Sequence, residues 1–402
     1  MGLVMHIDVN NAFLSWTALD LLNQGYQYDI RNSYAVVGGD ESSRHGIVLA
    51  KSMPAKKMGI KTGESLYEAR KKCPALRTYA PNYLWYQKNS QKLFELLSKY
   101  SPDIEVASID ECYLDYEKVK KLYGDEIEFA YKLKDEIKKT LGFTVNIGIG
   151  NNKLCAKMAS DFSKPDKVHT LYLDEVQKKM WPLPVGELFG VGKRSREKLI
   201  SIGIHTIHDL AVADVKRLYP YFKNQSQKLI DHANGLSDEP VISTSQERKG
   251  ISNSTTLSKD LTTIPEIEKI LYEISENVGI GLRKQKKYAS VIAVQLKDKY
   301  FKNYSHQRKL KNPTNITSEI YQVSCELLKD MWDRKPVRLV GIRLDNLTDV
   351  SLHQVSLFEN LDVREKNNEL EYVVDQIKEK YGVKAIKKAA LDDHKIKKKY
   401  QE

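Results

Sequence analysis

Three acidic residues stand where acids are locally unfavourable. Asp8 ends the apolar run Leu3-Val4-Met5-His6-Ile7, and Asp110 with Glu111 interrupts a hydrophobic frame made by Ile109 and Tyr113-Leu114. Carboxylates held together in such surroundings need a compensating cation. If two strands of one sheet bring Asp8 beside Asp110, the bend of a turn lets Glu111 face the same side. Such a cluster fits two Mg²⁺ ions about 3.5–4 Å apart, which activate an attacking hydroxyl and neutralise a leaving pyrophosphate. Mn²⁺ suits the same oxygen ligands. Taken one at a time, each acid is more often a solvated turn residue than a ligand, so the surrounding elements have to decide.

The first of those elements is a strand over 3–7 leading into an amphipathic helix, with Ala12, Phe13, Trp16, Leu19 and Leu22 at three-to-four-residue spacing and Gly25 as its stop. Strands over 34–37 and 46–50, with short helices over 54–58 and 64–72, make residues 20–75 a small α/β insertion. A helix over 84–97 precedes a hairpin over 104–114 with the adjacent acids at its tip. A helix over 126–141, a β-branched strand over 144–149 and a Gly-Asn-Asn turn opening another helix near Lys153 complete an alternating stretch that runs to residue 168. Short helices and tight turns fill 174–235, and residues 236–256 are Ser/Thr-rich, as suits a tether. The next globular unit, 245–350, has helices over 265–283 and 318–332 and strands over 289–297 and 337–344. A further short helix is predicted over 370–381. No internal repeat is present.

Charge is unevenly placed. The chain of 402 residues carries a formal net charge of +11. Residues 243–345 hold 19 basic against 12 acidic side chains, and residues 384–402 hold seven lysines against three acids, so the rest is neutral. Tyr288, Tyr300, Phe301 and Tyr304 lie among Lys284, Lys286, Lys287, Lys299 and Lys302, a mixture suited to a strand surface that tracks a phosphate backbone. Solvated surface is the favoured reading for the tail, whereas for the 243–345 unit nucleic acid is favoured over it. With 41% apolar and 29% charged residues the composition is globular, which excludes global disorder and a disulfide miniprotein. No run approaches the ~18–20 apolar residues of a membrane span, and the N-terminus lacks a basic flank and apolar core, so a cytoplasmic protein with no membrane partner is expected. Cys73, Cys112, Cys155 and Cys325 are scattered singly, without the spacing of a zinc site or disulfide framework, and are expected to be ordinary small apolar side chains in a reducing compartment.

The flanking residues make the acid cluster specific. Asp8-Val9-Asn10-Asn11-Ala12-Phe13, the run from Ala107 through Asp110-Glu111 to Asp115, and the run from Gly148 through Asn151-Asn152-Lys153 to Asp161, followed by Lys164-Pro165, resemble the palm signatures of Y-family translesion DNA polymerases in order and separation. The resemblance covers about residues 1–350 and is closest to UmuC/DinB-like and UvrX-like bacterial members. It implies an α+β right-hand polymerase: a ferredoxin-like palm over 1–168 with fingers inserted at about 20–75, a helix-hairpin-helix thumb over 169–236, a tether over 237–244, an α/β little finger over 245–350 and a tail over 351–402.

Carried over residue by residue, the resemblance makes Asp8, Asp110 and Glu111 catalytic metal ligands, with the Val9 carbonyl as a backbone ligand, for two Mg²⁺ ions per active site. Asn11, Ala12, Phe13, Lys56 and Lys164 become nucleotide-binding positions. Phe13 matches the steric gate, a ring under the sugar that excludes a 2′-hydroxyl; its spacing alone favours a core aromatic on an amphipathic helix. Lys164 matches the palm lysine on the triphosphate and Lys56 the second cation of the fingers. Family members often carry Tyr and Arg in that fingers motif where Met53 and Lys56 stand here, and lysine offers a point charge without a bidentate fork. Leu188-Phe189-Gly190-Val191-Gly192-Lys193 resembles the thumb hairpin, whose glycines and following helix N-terminus meet a phosphate. Gly190, Gly192, Lys193, Arg248, Lys249, Lys284 and Lys286 are the expected DNA contacts. Gln354-Val355-Ser356-Leu357-Phe358 resembles the peptide that docks on the bacterial sliding clamp (beta subunit), with Gln354, Leu357 and Phe358 as anchors.

The expected protein is a monomeric, template-directed DNA polymerase that adds dNTPs to a primer 3′-hydroxyl on primer–template DNA, with low fidelity and tolerance of damaged bases. Two rivals share parts of this pattern. A nucleotidyl cyclase uses a similar palm but needs no thumb hairpin, basic domain or clamp peptide; a catalytically weak DNA- and clamp-binding relative would not need all three acids.

Overall fold

The computed structural model describes residues 2–41, 44, 46–244, 247–349, 361–382 and 385–386, with only the backbone of 361–365. The chain divides into two compact units, residues 1–41 with 46–245, and residues 42–45 with 246–402. Among the described residues no helix is long and apolar enough to cross a membrane. All four cysteines are free and buried.

The first unit is organised by β1 (Val4–Val9), which is buried along its whole length. Helix α1 (Ala12–Asn23) follows it directly. The segment after α1 forms a three-stranded sheet in the order β3 (Val48–Lys51), β2 (Ala35–Gly38), β4 (Arg77–Tyr79), with α2 (Met53–Lys57) and α3 (Leu66–Lys72) packed on it. Its small core is Val36, Val48, Ala55, Ile60, Leu66 and Leu76. The chain then returns through α4 (Tyr83–Leu97), the hairpin β5 (Ile104–Val106) and β6 (Glu111–Asp115), α5 (Lys120–Tyr123), α6 (Glu126–Leu141), β7 (Val145–Gly150), α7 (Lys153–Asp161) and β8 (Val168–Leu171). The resulting five-stranded sheet has the order β5-β6-β1-β7-β8.

Because strand side chains alternate, β1 serves two faces at once. Met5, Ile7 and Val9 join Trp16, Leu93, Leu97, Phe129, Ile137 and Phe143 in the main core under α1, α4 and α6. Val4 packs instead with Tyr113 and Ala156 on the α7 side, and alternation sends His6 and Asp8 to the same side. The approach of α7 is set by glycine: a Cβ at Gly148 would lie 2.0 Å from the Ala156 carbonyl oxygen and 2.3 Å from the Ser160 nitrogen. Any other residue there would push α7 off the sheet. The helix begins where the Asn152 side chain accepts a hydrogen bond from the Cys155 N–H, a side-chain N-cap.

The remainder of this unit is a helical cluster of α8 (Val176–Lys179), α9 (Lys193–Ser201), α10 (Ile207–Ala211), α11 (Val215–Phe222) and α12 (Gln225–Ala233) around Leu188, Leu199, Leu210 and Leu218. The following segment up to residue 244 has no helix or strand.

The second unit is a four-stranded antiparallel sheet in the order β11 (Asn303–Thr314), β10 (Tyr288–Asp298), β12 (Val337–Thr348), β9 (Gly250–Leu261), packed on α13 (Ile264–Lys284) and α14 (Thr317–Met331). Both predicted helices and both predicted strands are present. Strands β9 and β11 were not anticipated from sequence, and β9 takes up residues 250–256 of the Ser/Thr-rich stretch. Their sequences, GISNSTTLSKDL and NYSHQRKLKNPT, are polar because few of their residues are buried, Leu257 and Leu261 in β9 and Thr314 in β11. A strand that buries almost nothing carries no apolar signature.

The predicted C-terminal helix is longer than expected: α15 runs from Leu361 to Tyr381. It is clasped to α13 through Arg283, whose side chain is 2% exposed. The guanidinium donates to Asp375 through Nε (2.6 Å) and Nη2 (3.0 Å) and to the Asn315 carbonyl (2.7 Å), and lies 3.2 Å from Glu371. Lys378 adds a 2.7 Å pair with Glu276. Removing one member of a buried charge cluster leaves the others uncompensated, so Arg283→Met should destabilise this unit by about 3 kcal/mol. Urea unfolding followed by an unchanged midpoint would show instead that α15 docks without it.

Candidate active site

Register brings two of the three acids together. In the β1–β6 pairing Asp8 lies opposite Glu111, and both face α7. Asp110 immediately precedes β6, and its backbone carbonyl accepts a hydrogen bond from the Val9 N–H at 3.0 Å. The backbones of all three acids and of Val9 therefore meet at the C-terminal end of β1.

The side chains are held by lysines. From α7, Lys157 Nζ lies 2.7 Å from Glu111 Oε1, 3.5 Å from Asp8 Oδ2 and 3.6 Å from Asp161 Oδ2. Lys164 Nζ lies 2.9 Å from Asp8 Oδ1 and 2.9 Å from Asp161 Oδ1. Below them the buried His6 ring places Nδ1 2.8 Å from Ser160 Oγ and Nε2 3.7 Å from Glu111 Oε2. Asp110 is turned away, accepting a 2.6 Å hydrogen bond from the Ser108 hydroxyl. Among the described residues the acids do not form a ready-made cage of converging ligands.

Charge and burial act against each other here. Burial pushes the Asp8 carboxyl up to about 6, against the pull of Lys164. His6 and Lys157 hold Glu111 well below the usual carboxylate range despite its burial. Burial also lowers His6, against the pull of Glu111. It opposes the charge on both lysines too, but their carboxylate partners outweigh it and raise each. Asp8, Glu111 and Asp161 are three carboxylates facing two ammonium groups, and among the described residues neither lysine pairs with Asp110 beside them, so negative charge is in excess. An all-oxygen donor set with a deficit of positive charge suits hard divalent cations such as Mg²⁺.

Beside the acids, a cavity of about 510 Å³ is lined by Asn10, Asn11, Leu14 and Ser15 at the start of α1, by Arg31, Asn32, Tyr34, Met53, Pro54, Lys57 and Met58 around the three-stranded sheet, and by Thr144 and Pro165. Asn11 sits at φ 48°, a left-handed position that asparagine tolerates better than most residues. Ala12 is buried and begins α1. Lys56 is exposed on α2 but does not line the cavity, whereas its neighbour Lys57 does. Arg31 was not singled out from sequence: it pairs with Asp29 at 2.7 Å and donates to the Gly142 carbonyl at 3.0 Å. Phe13 lies flat on the buried Tyr86 ring, with centroids 4.7 Å apart and planes at 11°, and Tyr83 meets it edge-on at 6.1 Å. Tyr86 is itself fixed by a 2.7 Å hydrogen bond with the Thr17 hydroxyl.

In the helical cluster, Gly190 has φ 91°, which a side chain would strain, and Gly192 caps α9 with no side-chain hydrogen bond, so the first N–H groups of that helix stay open. Lys193, next in the chain, is 81% exposed. In the second unit Arg248, Lys249 and Lys286 are exposed, and Lys284 is paired with Glu379 of α15 at 3.3 Å. Tyr300 and Phe301 project from the turn between β10 and β11 rather than from a strand. Gln354, Leu357 and Phe358 lie outside the described residues.

His6, Lys157 and Asp161 were not assigned roles from the sequence. The signal was there: His6 is two residues before Asp8 on one strand, and Lys157 and Asp161 are four apart on one helix.

Comparison with known proteins agrees with this geometry. Residues 7–161 match the impB/mucB/samB family, residues 174–204 the IMS family HHH motif, and residues 248–357 the impB/mucB/samB family C-terminal domain. A DNA polymerase IV of Clostridium acetobutylicum is 48% identical over 96% of this chain and 98% of its own length. One from Acetivibrio thermocellus is 34% identical over 96% of this chain and 97% of its own. Among solved structures, a Y-family DNA polymerase chimera superposes with a TM-score of 0.75 at 27% identity, covering 86% of this chain and 99% of that one.

Proposed function

The chain belongs to the impB/mucB/samB family of Y-family DNA polymerases and is a translesion DNA-directed DNA polymerase, and on that premise we propose that Asp8, Asp110 and Glu111 form the centre at which it adds dNTPs to a primer 3′-hydroxyl. The observation that carries this reading is the Asp8–Glu111 register beside Asp110, with its deficit of positive charge. Asp8, the Val9 carbonyl, Asp110 and Glu111 would hold two Mg²⁺ ions. When bound, such ions lower the pKa of the attacking hydroxyl and neutralise charge on the leaving pyrophosphate.

The chain's own groups do the rest. Lys164, already beside Asp8, is placed to meet the triphosphate, and Arg31 and Lys57 add positive charge to the adjoining cavity. Asn11 and Ala12 line the entry of α1 next to the sugar, and Phe13 beneath it excludes a 2′-hydroxyl. The open N–H groups at Gly192 and Lys193 suit a backbone phosphate of the duplex. In the little finger, Arg248, Lys249 and Lys286 supply sequence-independent phosphate contacts, while Lys284 does so only by releasing Glu379.

Extension of a primer across an abasic site tests the translesion role in this chain. Insertion opposite the lesion is expected; copying of undamaged template with no insertion opposite any lesion would contradict it. The pentapeptide Gln354–Phe358 would tether the enzyme to the bacterial sliding clamp, raising the effective concentration of DNA ends to the ~mM range. Deleting it should leave extension of short primers unchanged and abolish stimulation by added clamp, measured as product length on a long template; full stimulation of the deletion variant would remove that assignment.

A further inference from the structure

Asp161 belongs to no expected ligand set, yet both lysines of the site touch it. It closes α7, four residues after Lys157 and three before Lys164, and its side chain is 49% exposed where that of Asp8 is 9% exposed. Each ammonium group is thus shared between a deep carboxylate and this outer one. Lys157 bridges Glu111 and Asp8 to Asp161, and Lys164 bridges Asp8 to Asp161.

A divalent cation bound by Asp8 and Glu111 needs the same oxygens that the lysines now hold. Cations in contact with one carboxylate oxygen repel each other, so the ammonium groups have to withdraw as the metal enters. Withdrawal into a site with no other anion would leave two partly buried positive charges unpaired, which is unfavourable. Asp161 offers them a carboxylate that they already touch, within the reach of a rotation about their flexible stems.

We propose that Asp161 is a positioning residue that receives Lys157 and Lys164 when a divalent cation displaces them from Asp8 and Glu111, so easing metal entry and keeping Lys164 beside the nucleotide. The inference rests on the reading of Asp8, Asp110 and Glu111 as metal ligands. Asp161 itself touches neither the metal nor the nucleotide.

The test is Mn²⁺ binding, followed by the loss of the free-ion electron paramagnetic resonance signal, in the full-length protein with a dideoxy-terminated primer–template and the matching dNTP. Asp161→Asn keeps the shape and removes the charge, and should weaken Mn²⁺ binding roughly fivefold, the scale of a partly exposed ion pair. Asp161→Glu should restore most of that affinity. In steady-state extension the KM for Mg²⁺ should rise more than kcat falls. Unchanged Mn²⁺ affinity in Asp161→Asn, or weakened affinity that Asp161→Glu does not restore, overturns the inference. The metal-ligand reading is tested separately by Asp110→Ala in the same titration: if that variant binds Mn²⁺ as the wild type does, the metal reading falls and the inference falls with it.

Discussion

Asp110→Ala should slow single-nucleotide extension by about 10³-fold or more, because a lost metal ligand removes several kcal/mol of charge stabilisation and each 1.4 kcal/mol is a factor of ten. Binding of primer–template should change by less than about twofold, since that affinity comes from phosphate contacts elsewhere on the chain. Asp110 is the right acid to remove first. Among the described residues its carboxylate is held only by Ser108, whereas Asp8 and Glu111 pair with the buried Lys157 and Asp8 also with the more exposed Lys164. Truncating either of those would take a carboxylate partner from the buried Lys157 and mix a folding defect with a catalytic one. Single-turnover extension beside a DNA-binding titration separates the two effects. Extension at the wild-type rate would remove Asp110 from the metal site.

Phe13→Ala should raise incorporation of ribonucleotides relative to deoxynucleotides by roughly 10²-fold, the scale of a clash worth about 3 kcal/mol. The structure gives this ring a firm backing: it is stacked on Tyr86, which is buried and hydrogen-bonded to Thr17, so it cannot tilt away from a 2′-hydroxyl without losing that contact. The same packing gives the core-aromatic alternative a distinct outcome. Were Phe13 only packing, its truncation would lower the melting temperature and leave sugar discrimination unchanged. Phe13→Leu, which keeps more of the apolar contact, serves as the stability control.

How far the sequence carried depends on what each residue buries. Asp8, Asp110 and Glu111 stand out because acids beside Ile7, Ile109 and Leu114 break apolar runs. The helices and central strands of the second unit were legible for the converse reason: Leu271, Ile274, Val278 and Leu282 repeat with helical period, and Ile292, Val294 and Leu296 alternate within a strand. Strands β9 and β11 bury so little that they read as loop or tether. Arg31 and Lys57 look like ordinary surface charges until the three-stranded sheet folds them over the cavity. The roles of His6, Lys157 and Asp161 depend on which face of β1 meets α7, and that follows from the close approach at Gly148, a tertiary fact. Arg283 illustrates the same limit in the second unit, since its partners lie about 90 residues away on α15.

The reading of the three acids as a two-metal centre is tested most directly by anomalous diffraction from Mn²⁺ in crystals of this protein with primer–template and a non-hydrolysable dNTP. Two peaks about 3.5–4 Å apart are expected, bounded by Asp8, the Val9 carbonyl, Asp110 and Glu111, with Lys157 withdrawn from Glu111. An absence of peaks within reach of Asp110 and Glu111, with both lysines still seated on Asp8 and Glu111, would contradict it.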